Sequence, residues 1–228
     1  MPSARTARRS ARRRRGPSPA LLGAIAVVVL FAGVVGFGVY RAAHPGSGDV
    51  AVPPNATASG VAVGRSDAPA TIDVYLDFQC PVCRAYEQQS GATIDQLVAS
   101  GAARVVYHPV AYLDRFSSTR YSSRASAASG CAAEAGVFPR YAELLYANQP
   151  PEGGNGLPDE QLISLGEQAG AGPGFAECVH ADRYGAWTAA LTDEASRTGV
   201  NGTPTVKVDG KEIERTDAAL RAAVGAAS

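Results

Sequence analysis

The chain divides by its pattern of apolar and polar positions before any single residue is considered. From Pro19 to Tyr40 there is no charged or strongly polar side chain. A run of about 20 apolar residues is what a bilayer span requires. The pattern therefore predicts a transmembrane anchor over residues 19–40, with residues 1–18 as a basic tail. Residues 1–15 hold seven arginines and no acid, which places that end in the cytoplasm by the positive-inside rule. A cleaved signal peptide is the rival reading. It would carry a shorter apolar region of about 7–15 residues and an A-x-A-like site, and Arg41-Ala42-Ala43-His44-Pro45 is a poor match to one. Residues 41–59 then turn polar and rich in Pro and Gly, the composition of a flexible tether.

Residues 60–228 form the predicted folded domain. Val61-Ala62-Val63-Gly64 predicts a short strand, ended by a turn at Ser66-Asp67-Ala68-Pro69. Thr71–Asp77 reads as a largely apolar strand, which fits a central strand buried on both faces. A helix follows from Cys80 to about Ser100, with a kink expected at Gly91 and a stop at Gly101. Arg104–His108 is the next strand, closed by Pro109, and strand, helix, strand in that order predicts a right-handed βαβ unit. Between about Ser117 and Thr198 strand signal almost vanishes, and Ala, Ser, Glu and Leu dominate. This stretch reads as a helical insertion, bounded at 113–198, with breaks at Gly136, Phe138-Pro139, Pro150 to Pro158 and Gly170 to Gly174. Thr205–Val208 alternates as a strand, Asp209-Gly210 is a two-residue hairpin turn, and Thr216 to Ala227 closes the chain as a helix capped by Thr216 or Asp217. The class is α/β.

Charge sharpens the division. The formal net charge is zero, yet eight of the 21 basic residues lie at or before Arg41 and no acid does. The rest of the chain carries a net charge of −8, which argues against nucleic acid as a partner. The arginine cluster is a topology signal rather than a nucleic-acid tail.

The chain has four cysteines: Cys80, Cys83, Cys131 and Cys178. All lie on the predicted outer side, where disulfides persist. Four cysteines allow three connectivities, and the short loop favours Cys80–Cys83, leaving Cys131–Cys178 as a structural bridge. Two alternatives stay open: a four-cysteine zinc site, of which only one half of the usual paired spacing is present, and free buried thiols at 131 and 178. Cys80-Pro81-Val82-Cys83 falls where a strand meets a helix. The first sulfur is thereby expected at a helix N-terminus, whose dipole and free N–H groups favour the reactive thiolate. Pro81 suits the first helical turn, where no hydrogen bond is lost. Among the remaining residues, His108 reads as a core or edge residue, His180 as surface, Trp187 as core or groove lining, and Asn55-Ala56-Thr57 as a formal glycosylation sequon.

Tyr75-Leu76-Asp77-Phe78-Gln79-Cys80-Pro81-Val82-Cys83 resembles the D-F-x-C-P-x-C signature of DsbA-like proteins, and Gly202-Thr203-Pro204-Thr205 resembles their cis-proline loop. The two motifs stand about 120 residues apart in the right order. The second cysteine pair resembles the membrane-anchored DsbA-like proteins of actinobacteria. The resemblance implies a thioredoxin-like fold with an inserted helical domain and a thiol:disulfide oxidoreductase, most simply an oxidase of exported proteins. It implies Cys80 and Cys83 as the catalytic pair, Pro81 and Val82 as the helix start between them, and Thr203 and a cis Pro204 as the substrate-side wall. It implies exported protein thiols as substrates, a membrane re-oxidant of the DsbB or VKOR type, and no metal or cofactor. The same chemistry run as a disulfide reductase or isomerase is the alternative, and a non-catalytic binding module or metallochaperone is the alternative of another class. The chain departs from the family in two places. Val82 stands where a histidine is common, and Val74 stands where a buried acid is common, with Asp73 and Asp77 assigned to the opposite strand face. Both changes predict a weaker oxidant than the most extreme members.

Overall fold

The computed structural model describes residues 50–227. The anchor predicted over 19–40 and the basic tail lie outside these residues. Among the described residues no helix is long and apolar enough to cross a membrane.

Five strands form one mixed sheet in the order β1-β3-β2-β4-β5. They are β1 (Val61–Val63), β2 (Ala70–Leu76), β3 (Ala103–Pro109), β4 (Thr205–Val208) and β5 (Lys211–Glu212). β2 and β3 run parallel, with Val74 opposite Tyr107, and α1 (Pro81–Ala99) supplies the crossover between them, as the βαβ reading requires. β4 adds antiparallel to β2 with Val74 opposite Val206. The β4–β5 turn places Asp209 at φ 49° and Gly210 at φ 77°, the left-handed pair that a two-residue hairpin turn demands.

The insertion holds a 3₁₀ turn (Asp114–Phe116) and helices α2 (Tyr121–Glu134), α3 (Phe138–Ala147), α4 (Asp159–Ala169), α5 (Phe175–His180) and α6 (Gly185–Arg197). In the closing helix α7 (Asp217–Ala227) the Ala219 N–H donates to Thr216 Oγ1 (3.2 Å), so Thr216 is the cap. The core is continuous from sheet to insertion: Ile72, Phe78, Val105, Tyr121, Tyr141, Leu145 and Leu162 share one cluster.

Several local expectations are corrected. β2 is buried on one face and half-buried on the other, because Thr71, Asp73 and Tyr75 alternate outward. α1 runs through Gly91 without a break. Phe138 and Pro139 start α3 instead of ending a helix, since proline is tolerated in a first turn. Residues 53–59, assigned by composition to the tether, are tied to the domain. Asn55 Nδ2 donates to the Ala133 carbonyl (3.0 Å) and Trp187 Nε1 donates to the Thr57 carbonyl (3.0 Å). The Asn55 amide thus satisfies the C-terminal end of α2, which supplies a structural reason for that residue apart from the sequon. His108 pairs with Asp73 (Nε2 to Oδ1, 2.9 Å) and stacks on Tyr75 with ring centroids 4.1 Å apart, a packing role within the sheet.

Cys131 and Cys178 form a disulfide with Cα atoms 5.9 Å apart, joining α2 to α5. The free-thiol and zinc alternatives for that pair are set aside by this bond, and no cluster fit to hold a metal ion occurs among the described residues.

Candidate active site

The turn Asp77–Cys80 carries the chain from β2 into α1. Cys80 is the N-cap of α1 with extended backbone (φ −75°, ψ 116°), and Pro81 occupies the first turn. Its sulfur accepts the Cys83 N–H at 3.4 Å. Both cysteines are free thiols.

The two sulfurs differ sharply in acidity. Cys80 is drawn down from 9.0 to about 6, chiefly by the Cys83 side chain, then by the Cys83 backbone N–H, the Thr203 side chain and the Val82 backbone N–H, against the opposing effect of burial. Cys83 is pushed well above its ordinary value, first by burial and then by Cys80 beside it. Cys80 is the half of the pair that ionises near neutral pH. It is also less open than a nucleophilic sulfur at a helix start would suggest, with 5% of the residue exposed. Val82 beside it is 53% exposed.

Cys80 meets the second predicted motif directly. The Thr203–Pro204 peptide is cis, and the Cys80 thiol donates to the Thr203 carbonyl at 3.4 Å. That contact serves only the protonated sulfur, because a carbonyl accepts and cannot stabilise a thiolate. Alongside runs a groove of about 710 Å³, lined by Gly202, Thr203, Pro204, Glu212, Ile213 and Arg215 among others. Cys80, Cys83, Thr203 and Pro204, widely separated in sequence, thus share one site.

The insertion supplies residues that sequence reading missed. Gln149 Nε2 donates to the carbonyls of both Phe78 (2.9 Å) and Cys80 (3.0 Å). Tyr146 Oη donates to the Asp77 carbonyl at 3.4 Å. Asp77 itself is fully buried, and burial raises its carboxyl to about 6. Strand alternation read from the sequence places it on the face opposite Val74. That alternation holds only inside a strand, and β2 ends at Leu76, so Asp77 turns inward. Its position three residues before Cys80 was visible, whereas the partners that bury it come from elsewhere in the chain.

An acidic sulfur at a helix start, a buried partner thiol and an adjoining cis-proline groove on this sheet define a thiol–disulfide oxidoreductase of the thioredoxin-like class. Comparison with known proteins agrees. The family model described as Thioredoxin matches residues 56–226. Reduced DsbA of Mycobacterium tuberculosis is 33% identical, with a TM-score of 0.66 over 74% of this chain and 91% of that one. The reduced disulfide bond oxidoreductase DsbG of the same organism is 33% identical, with a TM-score of 0.64 over 79% of this chain and 88% of that one. Among curated proteins, the serine/threonine-protein kinase PknE of M. tuberculosis is 35% identical over 158 residues, 64% of this chain and 28% of that protein. The chain thus spans little more than a quarter of that relative's length. The chain belongs to the thioredoxin family, in its DsbA-like branch.

Proposed function

We propose that this protein is a membrane-anchored, extracytoplasmic disulfide oxidase that introduces disulfides into exported proteins through Cys80 and Cys83. One observation carries the direction: Cys80 ionises at about 6 while Cys83 stays a thiol. A stabilised Cys80 thiolate is a good leaving group and favours the reduced form of the pair, which makes its disulfide an oxidant.

The cycle starts from the Cys80–Cys83 disulfide. A substrate thiolate attacks Sγ of Cys80, a substrate–Cys80 bond forms, and the Cys80–Cys83 bond breaks. The electron pair goes to Cys83, which takes up a proton. A second substrate thiolate then attacks the substrate sulfur, and Cys80 leaves as the thiolate. Two substrate thiols are oxidised and the pair is reduced by two electrons. The groove beside Pro204 receives the extended substrate, with the Thr203 backbone as its pairing edge. A membrane partner of the DsbB or VKOR type then removes the two electrons. The arginine-rich tail and the apolar run 19–40 support an anchor with the domain outside the cytoplasm.

Reduction or isomerisation would use the same pair, and the equilibrium potential against glutathione separates the directions. A value near about −270 mV, typical of a reductant, would overturn the oxidase reading. Cys80→Ser should abolish oxidation of a reduced substrate with the fold intact. Full biological activity in that variant would instead favour a non-catalytic or metal-carrying role.

A further inference from the structure

The buried carboxylate of Asp77 joins the reacting turn to the helical insertion. Oδ1 accepts the Gln79 N–H (2.8 Å) and the Ser122 hydroxyl of α2 (2.7 Å). Oδ2 accepts the Leu113 N–H, ahead of the 3₁₀ turn, at 2.9 Å. The Asp77 carbonyl accepts the Cys80 N–H at 3.0 Å. The carboxylate thus binds the turn from within and the insertion at two separate points, and the Tyr146 hydroxyl on the Asp77 carbonyl adds a third.

No cation hydrogen-bonds or ion-pairs with this carboxylate among the described residues. The titratable groups that face it are Cys80 on its own turn, Tyr121 from α2 and Tyr146 from α3. All three are neutral or negative. The charge of Asp77 is held by three dipoles alone, and a Cys80 thiolate forms close to it without a neutralising group.

We propose that Asp77 is a positioning residue with an electrostatic duty: it docks the Cys80 turn onto the insertion and opposes negative charge on Cys80, restraining the oxidising strength of the Cys80–Cys83 disulfide. Charge opposition is reciprocal, because a thiolate that disfavours the carboxylate is itself disfavoured by it. The Asp77 carboxyl lies high mainly through burial, with Cys80 as a smaller contributor in the same direction. The inference rests on Cys80 and Cys83 as the reacting pair.

Asp77→Asn tests it. Asparagine keeps an oxygen for Gln79 and Ser122, removes the charge, and loses the acceptor for the Leu113 N–H, a docking loss that is independent of pH. At pH 8, where the wild-type carboxylate is ionised, the variant's exchange constant with glutathione should move toward oxidation by about threefold or more, the equivalent of half a pKa unit. Below about pH 5, where carboxyl and thiol are both protonated, that difference should vanish, a pH signature that lost packing does not produce. Ser122→Ala removes one docking hydrogen bond and keeps the charge, so its exchange constant should stay at the wild-type value. A wild-type or less oxidising constant for Asp77→Asn at pH 8 overturns the proposal. Should the variant not fold, carboxyl carbon NMR on the wild type decides. The Asp77 midpoint should be lower in the disulfide form than in the dithiol form, and equal midpoints overturn the proposal. A wild type that forms no reversible Cys80–Cys83 disulfide would instead remove the functional reading on which the test stands.

Discussion

Replacing Cys83 with alanine isolates what makes Cys80 acidic. The Cys83 side chain is the largest contributor to the Cys80 shift, followed by backbone N–H groups of the same turn, which the variant keeps. A hydrogen bond to a charged group contributes about 1.5–3 kcal/mol, and one pKa unit corresponds to about 1.4 kcal/mol. The midpoint of Cys80 should therefore rise by about one to two units in Cys83→Ala. With the wild-type midpoint at about 6, about 90% of Cys80 is thiolate at pH 7, and in the variant between about 50% and 10%. Intrinsic nucleophilicity changes the other way, by about threefold for each unit. The two effects nearly cancel at pH 7, so alkylation measured at one pH would change by less than about twofold. The informative assay is the full pH profile of iodoacetamide alkylation, matched to thiolate absorbance near 240 nm. The expected result is a higher midpoint together with a faster plateau. A midpoint that stays at about 6 would refute the reasoning and assign the acidity to the helix N-terminus and its backbone donors.

Three further outcomes follow from the same geometry. Replacing Cys131 and Cys178 together by serine opens a bridge of sequence separation 47; it should cost about 4 kcal/mol in denaturant unfolding and leave the Cys80 midpoint in place. Burial raises Asp77 to about 6 and Glu87 to about 7; these folded values exceed the unfolded ones, so the stability they contribute is full below about pH 4 and is lost as pH rises through 6 and 7. The disulfide form, in which Cys80 does not titrate, should accordingly be about 4 kcal/mol more stable at pH 5 than at pH 8 by urea unfolding; equal stability would show that water reaches both carboxyls. Val82→His, at a position 53% exposed, should lower the Cys80 midpoint by about half a unit and make the pair about 15 mV more oxidising at pH 7; an unchanged Cys80 midpoint would mean that the helix N-terminus repels the imidazolium as strongly as the thiolate attracts it.

Much of this was legible in the residues themselves. Thr71–Asp77, Arg104–His108 and Thr205–Val208 were readable because alternation and short apolar runs report strand burial directly. The helical insertion was readable from the loss of that signal, and most of its internal breaks from Gly and Pro. Cys80 at a helix start followed from a strand and a helix separated by one turn. Asp77, Gln149 and Tyr146 were not legible. Their roles arise where the insertion touches the turn, across sequence separations of 69 to 71 for the two α3-side partners, and no local pattern reports such contacts. The disulfide between Cys131 and Cys178 was foreseen by counting. The ordered strap at 53–59 was not, because its Pro and small-residue content matches that of a free tether while its hydrogen bonds to Ala133 and Trp187 depend on distant folding.

The acidity of Cys80 bounds what it contributes to oxidising strength. A fall from 9.0 to about 6 stabilises the reduced form at pH 7 by about 1.4 kcal/mol, or about 30 mV for a two-electron couple. Each further unit would add about 30 mV more. Two levers would extend the fall, a positive group at Val82 and removal of the Asp77 charge, and this chain uses neither. In the proposed direction that restraint has a use. Every increment of thiolate stabilisation that drives transfer of oxidation to a substrate must be overcome again when the membrane partner re-oxidises the pair. A valine between the cysteines and a carboxylate beneath them therefore divide the driving force between the two halves of the cycle.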